Sequence, residues 1–290
     1  MTAALIFTGL LLQIKPNMRI NITICICVLL MVISANAQSP SQVERQILAT
    51  LKTISGTGTY GGNYSDDDGK RNASENEKLT DMLLQQGKRA EILKYAFPKL
   101  KDKMGVATSR DGRLRIYSWD TETGGTMHDY SSVVQYQGAS GKVDTWAYDP
   151  PPDEADDSPM PSGVGTGGYY MRILQVDTSK GPIYLAVSLS IGCGQCHGQS
   201  VEAVRIGGDS LDRAAKIIKT QSGLTNTIDF AYAPATIPKN LTADNLVRFD
   251  AATKSFSIPV VIEDDESGNG RVTQRTITYR FNGTHFVKAR

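Results

Sequence analysis

The sequence predicts an α+β fold in which N-terminal helices precede a predominantly antiparallel, curled β-meander sheet. Three observations carry this. Before Gly105, apolar residues recur at helical spacing. From Gly105 onward, alternation and β-branched runs take over, separated by short turn signals. No Gly-x-Gly-x-x-Gly or Walker string follows any strand, as a doubly wound nucleotide-binding sheet would require.

Taken in order, Ser41 to Ile54 places Val43, Ile47, Leu48, Leu51 and Ile54 on one helical stripe, with Ser41 as an N-cap. Gly56 to Gly69 reads as a Gly, Ser and Asp loop. Asn76 to Ala96 returns to helical spacing with a break at Gly87, and Pro98 ends it. Strands are expected at Leu114–Trp119, Ser132–Tyr136, Val143–Tyr148, Tyr169–Val176 and Ile183–Ile191, joined by turns such as Asp111-Gly112, Gly124-Gly125 and Lys180-Gly181-Pro182. Asp149 to Gly168, rich in proline and acid, reads as an exposed flap. Val201–Ile206 is a further strand, Leu211–Lys219 fits a helix or a strand, and Thr227–Tyr232 is a strand again. The end is a meander of Leu246–Phe249, Ser255–Ile262, Thr273–Phe281 and His285–Lys288, with Asn282-Gly283 the strongest hairpin signal. Residues 38–104 form the helical segment and 105–290 the β-rich region of one domain.

With 40% apolar, 21% charged and 7% aromatic residues in 290, the chain is neither disordered, collagen-like nor a multi-span membrane protein. Lys plus Arg number 31 against 30 acids, and a net charge of +1 supplies no basic field for nucleic acid. Residues 1–37 carry Lys15 and Arg19 and no acid. Ile22 to Ser34 is an apolar run of 13, too short to span a bilayer, and Ala35-Asn36-Ala37 is an A-x-A cleavage site. This is a signal peptide, with Met18 as an alternative start, and it predicts an exported, periplasmic or secreted product with no stable membrane span after cleavage. Cys193 and Cys196 are then the remaining thiols, in a compartment where disulfides persist.

Cys193-Gly194-Gln195-Cys196-His197 is the string of the strongest chemical interest. It admits a disulfide loop stapling a hairpin, the default for exported cysteine pairs. It equally matches covalent attachment of haem c, with His197 as axial ligand and His128, His285 or a Met as the second. A thiol–disulfide redox site is the third reading, since a neighbouring His lowers a thiol pKa. Zinc finds three ligands in too short a span. The flanks read as strands with the motif at their turn.

Asp66-x-Asp68-Gly69 with Glu75 matches part of a calcium loop, although Tyr64 occupies its first position. His128 beside Asp129 is a weak acid-base candidate, and no Gly-x-Ser-x-Gly elbow singles out a nucleophile. Tyr117, Trp119, Trp146, Tyr148 and Tyr169 are a candidate binding face on the sheet, covered by the 149–168 flap.

Arg115-Ile116-Tyr117-Ser118-Trp119-Asp120-Thr121, followed by Gly124-Gly125-Thr126-Met127-His128, resembles a string of an uncharacterised family of exported bacterial proteins. The closing hairpins around Tyr279-Arg280-Phe281-Asn282-Gly283 are similar too. The resemblance implies no activity. In that family the loop matching residues 192–199 is polar and lacks the two cysteines, which makes Cys193–Cys196 a local embellishment. The expected function is that of a structural or ligand-binding module of the cell envelope, with no cofactor and no assigned enzyme activity; a haem c or redox protein is the alternative.

Overall fold

The computed structural model describes residues 38–58, 65–147, 168–264 and 269–289. Residues 1–37, where a signal peptide is expected, Tyr64, Tyr148 and residues 149–167, where the acidic flap is expected, lie outside the described residues. The chain divides into two compact units, Met1–Val43 and Glu44–Arg290. Of the first, only residues 38–43 are described. They carry the start of helix α1 (Pro40–Gly56), where Pro40 holds the first helical position, its missing N–H costing nothing there, and the Ser39 carbonyl accepts the Gln42 N–H.

The second unit is mostly strand, and its sheets are mostly antiparallel. Helix α2 (Asp66–Gln86) begins earlier than the sequence suggests, because Ser65 and Asp68 form a reciprocal cap. The Ser65 side chain accepts the Asp68 N–H, and the Asp68 carboxylate accepts the Ser65 N–H. Three aspartates in the first turn complement the helix dipole. The Gly87 N–H closes the helix on the Leu83 carbonyl, and a Cβ on Gly87 would lie 2.6 Å from Thr145 Cγ2, so only glycine lets the helix end approach the sheet. A short helix α3 (Ala90–Lys94) follows. Helical turns are not confined to this part, since 3-10 turns at Pro234–Thr236 and Ala243–Asn245 interrupt the later strands.

The single curled meander expected from the sequence is replaced by three separate sheets, none of them curled. Hairpin signals reveal which strands follow one another, but not where one ladder stops and the next begins. The first sheet runs β1 (Gly105–Thr108), β2 (Leu114–Asp120), β3 (Tyr130–Gln137), β4 (Val143–Ala147), all antiparallel. The second has β5 (Tyr169–Val176), β6 (Ile183–Cys193), β7 (Cys196–Gly207) and β11 (Thr227–Tyr232) in the order β11-β7-β6-β5, with β8 (Ser210–Asp212) beside β7. The third contains β9 (Ile218–Lys219), β10 (Leu224–Thr225), β12 (Arg248–Asp250), β13 (Ser255–Ile262), β14 (Arg271–Phe281) and β15 (Phe286–Lys288), ordered β10-β9-β15-β14-β13-β12. Its β15–β9 pair is parallel, and places the last strand in the interior of the sheet.

Side-chain alternation stacks these sheets. Tyr117, Trp119 and Gln135 turn one face of the first sheet to α2, where Trp119 Nε1 donates to Asn76 Oδ1 and Gln135 Nε2 to the Gly87 carbonyl. Leu114, Ile116 and Val134 turn the other face onto Tyr170, Ile173, Tyr184 and Ala186 of the second sheet. The opposite face of the second sheet, Ile183, Leu185, Val187, Val201 and Ala203, packs on Phe256, Tyr279 and Phe286 of the third. The central sheet is therefore buried on both faces, which explains why β6 opens with six consecutive buried residues rather than an alternation.

Candidate functional site

The Cys-x-x-Cys-His string closes the long β6–β7 hairpin. Cys193 and Cys196 face each other in register across a two-residue turn, Gly194-Gln195, and form a disulfide. Both cysteines are partly exposed, and the turn between them is exposed. Asn269 Nδ2 donates to the Gln195 carbonyl and ties this tip to the β13–β14 connection. His197 comes next in β7 and therefore points to the other face, where its ring meets Tyr232 edge to face at 6.1 Å. Burial, and then the neighbouring His128, hold the His197 pKa below its ordinary value.

His128 does not pair with Asp129. Its Nδ1 bonds the Asp120 carboxylate, its backbone N–H donates to the Ile191 carbonyl and its ring stacks on Tyr130. These contacts seat the β2–β3 loop against the end of β6. Glu122 nearby has its pKa raised by burial and then by Asp120, while His128 opposes the shift. His285 lies in the turn before β15, on the third sheet.

The described members of the expected aromatic face do not share one face. Tyr117 and Trp119 are buried in the layer under α2, with Tyr117 Oη donating to Gln135 Oε1 at 2.8 Å. Trp146, opposite Val134 in the register, points to the other side, where the Arg213 guanidinium lies 4.3 Å from its ring centre. Alternation separates them, since the two groups occupy opposite parities of paired strands. Tyr169 borders a cavity. The acidic string is equally displaced as a calcium loop: Asp66, Asp68 and Glu75 sit on α2, Asp68 engaged in the cap and Glu75 bonded to Lys78 Nζ. A continuous helix cannot wrap a cation as a twelve-residue loop does.

The cavity beside Tyr169 is a cleft of about 660 Å³. One wall is the segment after α3, residues 96–106, and the other is the start of β5 with Asp244 from the second 3-10 turn. The first wall is rigidly held. Buried Glu44 accepts the Lys99 N–H and the Tyr95 hydroxyl, and Arg115 Nη1 donates to the Ile92 and Tyr95 carbonyls. Phe97 is buried with φ 49° and Asp102 has φ 62°, left-handed backbone that non-glycine residues hold only where packing imposes it. For Phe97 that packing is the edge contact with Tyr95 and Tyr117 and the Arg115 guanidinium over its ring. Gly105 lies between the walls, where a Cβ would meet Ser118 Oγ at 2.4 Å and the Tyr170 carbonyl at 2.9 Å.

The second wall owes its shape to a β-bulge between Tyr170 and Arg172, which redirects the arginine. Arg172 Nη2 donates to the Val247 carbonyl, whereas its Nε is buried and has no hydrogen-bond partner among the described residues. Burial lowers the Arg172 pKa and Asp244 opposes the change; burial, then Asp102 and Asp244, raise that of the Tyr169 phenol. Lys101 completes the charged lining. Sequence reading found Tyr169 and missed Lys101, Asp102, Arg172 and Asp244. One signal was present: Arg172 is the single charge inside the strand Tyr169–Val176.

Comparison of the chain with protein-family models, curated proteins and solved structures finds no match, so the assignment of function rests on this geometry.

Proposed function

We propose that the chain is an exported ligand-binding module of the cell envelope, with the cleft between residues 96–106 and β5 as its binding site and the Cys193–Cys196 bridge as a staple of the β6–β7 hairpin. Export rests on the apolar run and A-x-A string of residues 22–37. Binding rests on one observation above the others, a buried guanidinium N–H of Arg172 without a partner among the described residues at the edge of a cleft with a preformed wall. Buried donors are satisfied in the great majority of cases, so this orphan marks the guanidinium of a cleft-lining residue as one with bonding capacity to spare. The volume falls within the range of small-molecule sites, roughly 300–1,000 Å³. The test is a saturation-transfer NMR screen of a fragment library against the protein and against Ala96→Trp, which fills the cleft from an exposed position. Fragments that bind the protein and are lost from the variant support the reading. Absence of binders, or binders indifferent to the variant, overturns it.

A thiol–disulfide exchange site is the second reading, favoured by the partial exposure of the bridge at a hairpin tip. A reduced peptide dithiol would lose two electrons and two protons to the bridge, becoming a disulfide as Cys193 and Cys196 become thiols. Maleimide counting after equimolar peptide dithiol tests it: two new thiols support the exchange, and an unmodified chain refutes it.

A further inference from the structure

We infer that the cleft takes a small zwitterion with a free ammonium and a free carboxylate, an apolar α-amino acid or dipeptide; this rests on the reading of the cleft as a binding site. Lys101 and Arg172 supply two positive charges to its lining and Asp102 and Asp244 two negative ones. Among the described residues, no ion pair within 4.0 Å joins any of these four. Asp244 acts on both Tyr169 and Arg172, and Asp102 on Tyr169, so the two carboxylates sit on the Tyr169 side of a lining that also contains Arg172 and Lys101.

A ligand of one sign would meet repulsion from half of this set, and an uncharged ligand would desolvate all of it without return. A zwitterion engages both halves. Its carboxylate fits the guanidinium of Arg172, which lines the cleft, with Lys101 as a second positive group. Its ammonium fits the Asp102 and Asp244 carboxylates and the Tyr169 hydroxyl, all acceptors. Val106 and Met171, both partly exposed, offer apolar surface for a side chain. A dipeptide fits within about 660 Å³.

The experiment is calorimetric titration of the full chain with L-leucine, leucyl-leucine, N-acetyl-L-leucine and L-leucinamide. The expected result is binding of leucine or the dipeptide, with at least tenfold weaker binding of the acetylated and amidated analogues. Asp244→Asn should erase the preference for a free ammonium, and Arg172→Gln the preference for a free carboxylate. If Arg172→Gln does not fold, Lys101→Gln, at an exposed position, should lower the carboxylate preference in its place. Equal binding of N-acetyl-leucine and leucine overturns the inference. So does failure of all four compounds while library fragments still occupy the cleft, and in that case the binding site itself stands. If neither compounds nor fragments bind, both readings fall.

Discussion

Replacing both Cys193 and Cys196 by Ser tests how much the hairpin depends on its bridge. The closed loop holds the four residues 193–196. For a loop that short, the chain-entropy treatment gives about 2 kcal/mol at 25 °C. That figure is a ceiling here, because β6 and β7 are already paired from Ile183 opposite Arg205 up to the bridge and the Gln195 carbonyl is held by Asn269. The turn is therefore preformed by its ladder, and the expected loss is about 1–2 kcal/mol, or about 2–8 °C in Tm for a chain of this size. Urea unfolding followed by the fluorescence of Trp119, 1% exposed, measures it on the oxidised protein and the double variant. Both should fold and share one m-value. A loss beyond about 4 kcal/mol, or no loss at all, would refute the assignment of hairpin stability to the ladder with a small entropic contribution from the bridge.

Further perturbations address other layers. Tyr117→Phe removes the O–H that Gln135 Oε1 accepts in a fully buried network, and should cost about 1–3 kcal/mol in urea unfolding. Ser65→Ala breaks the cap of α2 and should cost about 1 kcal/mol, read from the same curves. Tyr184 is held above the ordinary phenol pKa first by burial and then by Asp111, which accepts its proton. A raised folded-state pKa means that this stabilisation is complete below about pH 10 and is lost as pH rises further. Urea midpoints measured on the alkaline side should fall with pH, and fall less steeply in Tyr184→Phe. His197 is shifted the other way, by burial and then His128, so its contribution is present above about pH 6.5 and is lost as pH falls towards its depressed value. An NMR titration of its imidazole should give a midpoint below that of an unfolded histidine.

Much of the local structure was legible. β5, β11 and β13 fall where alternation and β-branching place them, and Gly283 turns with φ 102° at the Asn-Gly signal. The start of α2 was not legible, because its sequence is polar and its buried positions include Asn72, which donates to the Ile54 carbonyl instead of packing apolar surface. Composition reads such a stretch as a loop, while the reciprocal Ser65–Asp68 cap fixes it as a helix. The hairpin carrying Cys193 and Cys196 was legible as a turn between strands, and the separation of His197 from the sulfurs follows from alternation. The division into three sheets was not, since pairings such as Phe286 with Ile218 depend on contacts far apart in the chain. The cleft was hidden for the same reason: its walls come from residues 96–106, 169–172 and 244, and no local pattern links them.

The interior position of β15 bears on how the third sheet can assemble. Phe286 to Lys288 follow every other strand in chain order, yet they lie between β9 and β14 and join the two parts of that ladder. Synthesised from its N-terminus, the chain holds the β9–β10 pair apart from the rest of its sheet until residues 286–288 emerge, and Phe286 is fully buried only after they dock. Formation of the third sheet therefore waits on a contact between residues near 218 and residues near 286, a pairing of long sequence separation that forms more slowly than a local hairpin.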